Sequence, residues 1–273
     1  MSEIVLTILG CGNSAGVPRL GGPHQAGDWG VCDPTNPKNR RTRCSVLVER
    51  KGPGGTTRVL VDTAPDLREQ LLRAHVAELD GVLITHDHAD QLHGLDDLRQ
   101  VAHYMHRRVE VYTDTLCAQT VSKRFDYCFV APMGSAYPPV ANMHILEEPF
   151  VPFEIHGAGG PLPVQAFTQQ HGSIPSLGFR FGPIAYSPDV NALNEQAFEV
   201  LAGVDTWIVD ALRHKPHPTH AHVALALEWI VRLQPRHAVL TNLHQDLDYD
   251  VLKASLPDGI EPAYDGLRLT VPI

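Results

Sequence analysis

The sequence predicts an α/β fold in which two mixed β-sheets pack face to face and helices cover their outer faces, a four-layer αββα sandwich. Three observations support it. Short apolar strands in hairpin order precede the first helix, helices and strands then alternate, and this pattern occurs roughly twice. The 273 residues, of which 43% are hydrophobic and 19% charged, can bury a substantial core. Because no long polar linker divides the chain, we expect one domain over residues 1–273.

Apolar runs bounded by glycine and proline predict the elements of the first half. A strand at 4–9 leads into a glycine-rich loop that continues to about residue 43. Further strands are expected at 45–49, 58–61, 81–85 and 109–112, and helices at 66–75, 92–106 and 115–124. Residues 127–163 are rich in proline and glycine, and no element is predicted there.

The alternation of strand and helix returns in the second half. Strands are expected at 164–168, 178–181, 184–186, 206–209, 237–241 and 267–271. Helices are expected at 194–201, 220–233 and 249–256.

Composition and charge exclude several classes of protein. A formal net charge of −9 argues against a basic surface for long nucleic acids. The five cysteines form no C-x-x-C pair, which favours a reducing compartment. No apolar stretch approaches the roughly 20 residues of a membrane span, and no basic segment precedes the first apolar run. We therefore expect a cytoplasmic protein that binds neither long nucleic acids nor membranes.

The strongest local signal follows the strand predicted at 81–85. There Thr85-His86-Asp87-His88-Ala89-Asp90-Gln91 places His86, His88 and Asp90 at alternate positions. Imidazole and carboxylate are ligands for zinc, manganese or iron, and the end of a strand is a rigid support for them. A polar turn that only begins the next helix is the less favoured interpretation.

Three further residues of this chemistry come at or close after strand ends. His171 follows the strand at 164–168, Asp189 follows the strand at 184–186, and Asp62 follows the strand at 58–61. Each alone is an ordinary turn or helix-capping residue. A family resemblance implies a common site for the three, in which Asp62 supports the ligands; an acid that caps the helix at 66–75 is the alternative for Asp62.

These residues resemble the motifs of the metallo-beta-lactamase superfamily, H-x-H-x-D-H after a strand followed by a distant His, Asp and His. The resemblance implies the four-layer fold, a hydrolase activity, and metal ligation by His86, His88, Asp90, His171 and Asp189. The last ligand is expected to be His244, although Asn242 lies closer to the preceding strand. Gln91 stands where the pattern has a histidine. Gln91 and Asn242 are both poorer metal ligands than histidine, so the expectation is either one or two ions of Zn²⁺ or Mn²⁺ per chain. His93 could compensate, but a helix-start histidine is the favoured interpretation.

A closer resemblance is to the branch of PhnP-like cyclic phosphodiesterases and tRNA 3′-processing nucleases. The segments at 10–18, 40–45 and 264–266 and the segment around His220 carry it. It implies that a histidine ahead of a late helix protonates the leaving group; His220 has that place, and His222 is the alternative. First-turn surface histidines are the competing interpretation. The structural zinc cysteines of the PhnP enzyme are absent, since only Cys32 lies in the corresponding loop.

We therefore predict a metal-dependent phosphodiesterase that acts on a small cyclic phosphate or nucleotide, with His220 and Asp90 as catalytic residues. Arg40, Arg41 and Arg43 could neutralise a substrate phosphate, or could be an ordinary solvated basic run. The alternatives are a thioester or lactam hydrolase on the same fold, and a catalytically weakened binder of metal or nucleotide. Oligomeric state stays open, with a homodimer typical of related folds.

Overall fold

The computed structural model describes residues 2–131, 133–148 and 150–273. The strands, in chain order, are β1 (Glu3–Gly10), β2 (Ser45–Gly52), β3 (Gly55–Val61), β4 (Gly81–Leu83), β5 (Val109–Asp114), β6 (Ala141–Leu146), β7 (Phe153–Ile155), β8 (Leu162–His171), β9 (Ile174–Phe181), β10 (Ile184–Ser187), β11 (Thr206–Asp210), β12 (His237–Thr241), β13 (Ile260–Pro262) and β14 (Arg268–Pro272). They form two seven-stranded sheets, in the orders β14-β1-β2-β3-β4-β5-β6 and β13-β12-β11-β10-β9-β8-β7.

Eight α-helices are present in the described parts of the chain. They are α1 (Leu67–Ala74), α2 (Ala89–Leu92), α3 (Leu98–Met105), α4 (Thr115–Arg124), α5 (Asp126–Phe129), α6 (Glu195–Leu201), α7 (Val223–Leu233) and α8 (Tyr249–Ser255). Single 3₁₀ turns lie at Pro23–Gln25, Pro37–Asn39 and Leu95–Asp97. Among the residues described, no helix has the length and apolarity needed to cross a bilayer.

Three apolar clusters hold the layers together. The central cluster joins the inner faces of the two sheets, with Ile8 and Val48 from one and Phe179 and Ile208 from the other. A second cluster packs the outer face of the first sheet against α1, α3 and α4. A third packs the outer face of the second sheet, including Trp207, against α6, α7 and α8. Two sheets that bury both faces in this way form the predicted four-layer sandwich, which is confirmed.

The structure differs from the sequence prediction in the helix expected at 92–106. This segment is divided into α2, a 3₁₀ turn and α3, and Gly94 lies at the division. A side chain at Gly94 would clash, since its Cβ would lie 2.1 Å from the carbonyl oxygen of Ala64. The helix expected at 220–233 begins later, at Val223, and leaves His220 in the preceding loop. Strands β6, β7 and β13 were not predicted.

Strand direction places the carboxyl ends of several strands from both sheets at the site. Strands β10, β11 and β12 are parallel, and β8 runs with them because both β8 and β10 are antiparallel to β9. In the first sheet β3 and β4 are parallel. The polar residues at or just beyond these carboxyl ends are Asp62, His86, His171, Asp189, Asp210 and Asn242. Parallel strands present their carboxyl ends at one edge, where ligand sites of α/β sheets are found.

Candidate metal centre

His86, His88 and His171 lie together at the carboxyl ends of these strands. One nitrogen from each ring lies within 4.8 Å of the corresponding nitrogens of the other two. The ring centroids are 4.6 to 5.1 Å apart. The structure thus brings together three of the histidines predicted as ligands, from loops that follow β4 and from the end of β8.

The ring of His86 is oriented by a buried acid through a hydroxyl. Its Nδ1 lies 3.0 Å from Thr85 Oγ1, and that hydroxyl donates to Asp62 Oδ2 at 2.9 Å. Asp62 also accepts the Thr85 backbone N–H at 2.8 Å. Asp62 therefore supports the site through Thr85, as a carboxylate behind a metal-bound histidine does.

The nitrogens that remain free fit a divalent cation. Nε2 of His86 is buried and has no hydrogen-bond partner in the described chain. Nδ1 of His171 lies 2.6 Å from the carbonyl oxygen of Thr219, so its Nε2 faces Nδ1 of His88 at 3.2 Å. Two ligands about 2.0–2.1 Å from a tetrahedral zinc ion stand about 3.3 Å apart. His88 and His171 thus have the spacing for one such ion, and a nitrogen of His86 lies within 4.8 Å of theirs.

The electrostatics of the site keep the imidazoles of His86 and His171 neutral, as metal ligation requires. Burial and then the neighbouring His171 hold the pKa of His86 well below its usual value. Burial, followed by the charge of His220, lowers the pKa of His171 to about 4. Both rings would be unprotonated at neutral pH, with a lone pair available for a cation.

Asp189 lies beside this group but is engaged by two amides. Its Oδ2 accepts a hydrogen bond from Gln91 Nε2 at 2.8 Å, and its Oδ1 accepts one from Asn242 Nδ2 at 3.3 Å. All three side chains are buried. Gln91, where the superfamily motif has a histidine, and Asn242, directly after β12, thus both present donors to the carboxylate. Burial raises the pKa of Asp189, and His220 opposes this rise.

His220 forms the other side of the site. One nitrogen of His220 groups with donors of His171 and Asp189 within 4.8 Å. Nδ1 of His220 lies 2.9 Å from Asp210 Oδ2 and 3.5 Å from Asp189 Oδ1. Burial opposes a charge on this ring, but Asp210 and Asp189 outweigh it and raise the pKa of His220 to about 9. The ring centroid is 4.6 Å from that of His171. An imidazole that favours its protonated form therefore adjoins the three-histidine group.

The alternative proton donor, His222, and the imidazole that could compensate for Gln91, His93, lie elsewhere. His222 occupies the residue before α7 and makes no side-chain capping bond. His93 is exposed, and its ring packs on Phe125 with centroids 5.8 Å apart. Neither belongs to a group of ligand-type side chains in the described chain.

Asp90 lies in the first turn of α2 and is partly buried. Its charge contributes to raising the pKa of both Asp189 and His220. It is therefore near the site, although it does not belong to either close group of ligand atoms.

The structure does not bring His244 to the other predicted ligands. Its Nε2 contacts a guanidinium nitrogen of Arg19, and its Nδ1 lies 3.2 Å from Asp246 Oδ2. Both ring nitrogens of His244 thus contact residues other than the predicted ligands. The residue that follows β12 directly, Asn242, is the one that reaches Asp189.

Three residues at the site have left-handed backbones. Asp62, Asp189 and Asn242 have φ values of 65°, 39° and 61°. Asp and Asn tolerate this region better than other residues with a β-carbon, and such residues concentrate at functional sites. Each follows a strand end and turns its side chain sharply out of the strand direction.

The arginines at 40–43 have separate roles. Arg41 is buried and donates to the carbonyl oxygens of His244 and Leu247 at 3.1 and 2.7 Å. Arg43 pairs with Asp66 at 2.8 Å, and Arg40 stacks on Trp29 at 5.1 Å. Arg41 and Arg43 thus hold loops around the site and are not free for a substrate phosphate.

Asp210 is the site residue that the sequence analysis missed. It ends the apolar strand Thr206-Trp207-Ile208-Val209 and has no exposed surface. An acid directly after a buried strand is the same signal that identified Asp62 and Asp189. Applied to every strand, that signal would have found it.

Comparisons with known proteins agree with this geometry. A family model described as a beta-lactamase superfamily domain matches residues 57–242. A crystal structure of a diphosphatase from the PhnP family is 32% identical, with a TM-score of 0.85, and the match covers 99% of this chain and 98% of that one. The short form of human tRNase Z is 17% identical with a TM-score of 0.66, over 98% of this chain and 100% of that one, which shows a shared fold.

One curated relative is longer. An octanoyltransferase of Porphyromonas gingivalis (strain ATCC BAA-308 / W83) is 31% identical over 268 residues, which are 97% of this chain and 51% of that protein. The chain therefore spans about half the length of this relative.

Proposed function

The chain belongs to the beta-lactamase superfamily and is a hydrolase of the metallo-beta-lactamase fold, and from this premise we propose that it is a metal-dependent phosphodiesterase acting on a small cyclic phosphate or nucleotide. His86, His88 and His171 would hold a divalent ion, Zn²⁺ or Mn²⁺. When bound there, such an ion would supply a hydroxide at neutral pH and polarise the phosphoryl oxygen.

The observation that carries this proposal is the position of His220. A phosphodiester needs a proton on its departing alkoxide, and a ring beside the three-imidazole group is suited to deliver it. Asp210 accepts the Nδ1 proton of His220 at 2.9 Å. That bond fixes the ring and leaves Nε2 as the nitrogen that can give a proton to the leaving group. Asp90, near both His220 and Asp189, would help keep His220 protonated.

We propose one ion per chain. Both oxygens of Asp189 accept hydrogen bonds from buried amides, at 2.8 Å from Gln91 and 3.3 Å from Asn242. A neutral amide binds zinc less well than imidazole does. His220, drawn to Asp189 and Asp210, places a positive charge on the side of Asp189 where a second ion would otherwise be needed.

The net charge of −9 supports a small substrate, because long polyanions would be repelled from such a surface. The PhnP-family likeness at 32% identity supports a phosphoryl substrate.

A thioester hydrolase is the second candidate. The octanoyltransferase relative favours it, since acyl transfer proceeds through activated acyl groups. About half of that protein lies outside the region of likeness, and its named activity need not reside in the shared part. A thioester substrate has a thiolate leaving group, which departs without a proton and would not need His220.

The test compares wild type with His220→Ala on phosphodiesters whose leaving groups differ in basicity. The p-nitrophenolate of bis-p-nitrophenyl phosphate is a weak base and leaves without a proton. The alkoxide of a dialkyl phosphate is a strong base and needs a proton as it leaves. We expect His220→Ala to lower kcat about 10²-fold or more for the alkyl leaving group and much less for p-nitrophenolate.

His222→Ala is the matched control, because it removes an imidazole two residues away that contacts no predicted ligand. An octanoyl thioester is assayed in parallel. Equal losses for both leaving groups would contradict the proton-donor role, and faster thioester than phosphodiester turnover, insensitive to His220→Ala, would favour the second candidate.

A further inference from the structure

One histidine close to the candidate metal centre has no role in the proposed function. His217 lies in the loop between β11 and α7, three residues before His220, and its side chain is half-buried. The centroid of its ring is 5.1 Å from that of His220, which in turn is 4.6 Å from that of His171. His217 therefore lies directly beside the predicted proton donor.

Thr219 connects His217 to a predicted metal ligand. The carbonyl oxygen of Thr219 lies 2.6 Å from Nδ1 of His171, and its backbone N–H donates to Nδ1 of His217 at 3.3 Å. Thr219 also packs closely on Gly172, where a Cβ would lie 2.5 Å from Thr219 Cγ2. One shared residue therefore fixes the ring of His217 relative to that of His171.

The hydrogen bond from Thr219 determines which nitrogen of His217 carries the proton. A backbone N–H can only donate, so Nδ1 is the acceptor and the proton of the neutral ring is on Nε2. The Thr219 hydroxyl, 3.2 Å from Nδ1, can donate to the same nitrogen. Burial and then the charge of His220 lower the pKa of His217, which favours this neutral form. Nε2 of His217 is therefore an N–H donor.

This donor is free to bind a ligand. Within the described part of the chain Nε2 of His217 makes no hydrogen bond, and the atom is accessible from solvent. Pro216 and Pro218 flank the residue, and a proline fixes its own φ and restricts the backbone of the residue before it. A donor held on a restrained loop binds a ligand with little further loss of conformational entropy.

We propose that His217 donates a hydrogen bond from Nε2 to a non-bridging phosphoryl oxygen of the substrate. This inference rests on the proposed function, because the phosphoryl group would lie at the candidate metal centre, beside His220. A neutral imidazole keeps its Nε2 proton, so it stabilises a negatively charged oxygen without protonating it. His217 thus binds the substrate, whereas His220 gives its proton to the leaving group.

The test uses two substitutions that each keep one function of the ring. In His217→Gln the amide nitrogen takes the approximate place of Nε2 and remains a donor, whereas in His217→Asn the amide oxygen takes the place of Nδ1 and accepts the Thr219 N–H. The probe is dimethylphosphinate, a non-hydrolysable anion with the two free oxygens of a phosphodiester, and its binding to the Zn²⁺-loaded full chain is measured by phosphorus NMR. We expect His217→Asn to weaken binding about 10-fold and His217→Gln by about 2-fold or less, because only His217→Asn loses the donor.

His214→Asn is the control, since His214 is an exposed histidine of the same loop, and it should leave binding unchanged. Affinities are compared at equal zinc content, and thermal unfolding of each variant checks folding. The reverse order of affinities, or equal affinities in His217→Gln and His217→Asn, would overturn the contact, because an effect through Thr219 would spare His217→Asn. The expected order in a protein without phosphodiester turnover would uphold the contact and overturn the proposed function.

Discussion

Gln91 and Asn242 are the two residues on which the proposal of one ion per chain depends. Gln91 stands where the superfamily motif has a histidine, Asn242 directly follows β12, and each donates an amide N–H to Asp189. The carboxylate of Asp189, which would otherwise be available to cations on both sides, therefore accepts hydrogen bonds from two neutral amides. Under the proposed function, this arrangement leaves three imidazoles for one ion and occupies the Asp189 oxygens that a second ion would need.

Restoring both imidazoles should restore a second site. We expect metal content to rise from about one ion per chain in wild type to about two in the double variant Gln91→His/Asn242→His, with Gln91→His alone in between. Native mass spectrometry after incubation with Zn²⁺ and removal of excess ion measures it.

Gln100→His adds an imidazole on the exposed face of α3 and controls for nonspecific binding. Two ions already present in wild type, or no gain in the double variant, would show that other residues determine the second site.

Individual site residues differ in how well the sequence predicts them. His86, His88, His171 and Asp189 follow apolar runs closely, and the structure brings three of them into one ligand group. His244 was the expected last ligand because it is the nearest imidazole after β12, but its partner Arg19 lies 225 residues away in sequence. Contacts between distant loops have no local signal, so the contact of Arg19 with His244 could not be anticipated from periodicity.

At the level of elements, the buried strands were predictable, whereas three of the four edge strands, β6, β7 and β13, were not. Strands such as β11, fully buried, have continuous apolar runs, whereas β6 at an edge has an exposed and partly polar face. Strand β13 has only three residues and ends in Pro262. The break between α2 and α3 depends on the close approach of Gly94 to Ala64, which only the tertiary structure defines.

Strand β13 is tied to its neighbours by a carboxylate. Glu261 accepts a hydrogen bond from His237 Nε2 of β12 at 2.9 Å and lies 3.6 Å from Lys253 Nζ of α8. The His237 hydrogen bond, as the main cause, lowers the pKa of Glu261. Because the folded pKa is below the unfolded value, this stabilisation is full above the unfolded pKa of about 4.3 and is lost as pH falls through the folded pKa.

Glu261→Gln should therefore reduce the free energy of unfolding by about 1 kcal/mol at pH 7. The difference from wild type should shrink toward zero as pH falls below about 4. Urea unfolding at a series of pH values measures it.

Glu228→Gln, an exposed change on α7, is the control and should have little effect at any pH. A difference that stays constant from pH 7 to pH 3 would show that Glu261 acts through packing and not through its charge.

Across the whole molecule, function depends on how the two sheets meet. Strand direction places the ends of β3, β4, β8, β10, β11 and β12 at one edge, and every candidate ligand or proton donor comes from a strand end there or from a loop that follows one. The four-layer arrangement was predictable because alternating apolar patterns report which faces are buried. The pairing of acids with imidazoles between the two sheets was not predictable, because these contacts form only when both sheets have packed together.

The central claim is that a divalent ion held by the three histidines is required for phosphodiester hydrolysis. The most direct test is the turnover of bis-p-nitrophenyl phosphate by one preparation before chelation, after exhaustive chelation and after return of Zn²⁺ or Mn²⁺. We predict that chelation abolishes turnover, that either ion restores it, and that His86→Ala is folded but gains no activity from added ion. Undiminished turnover in the chelated protein, or no turnover with any ion, would contradict the account.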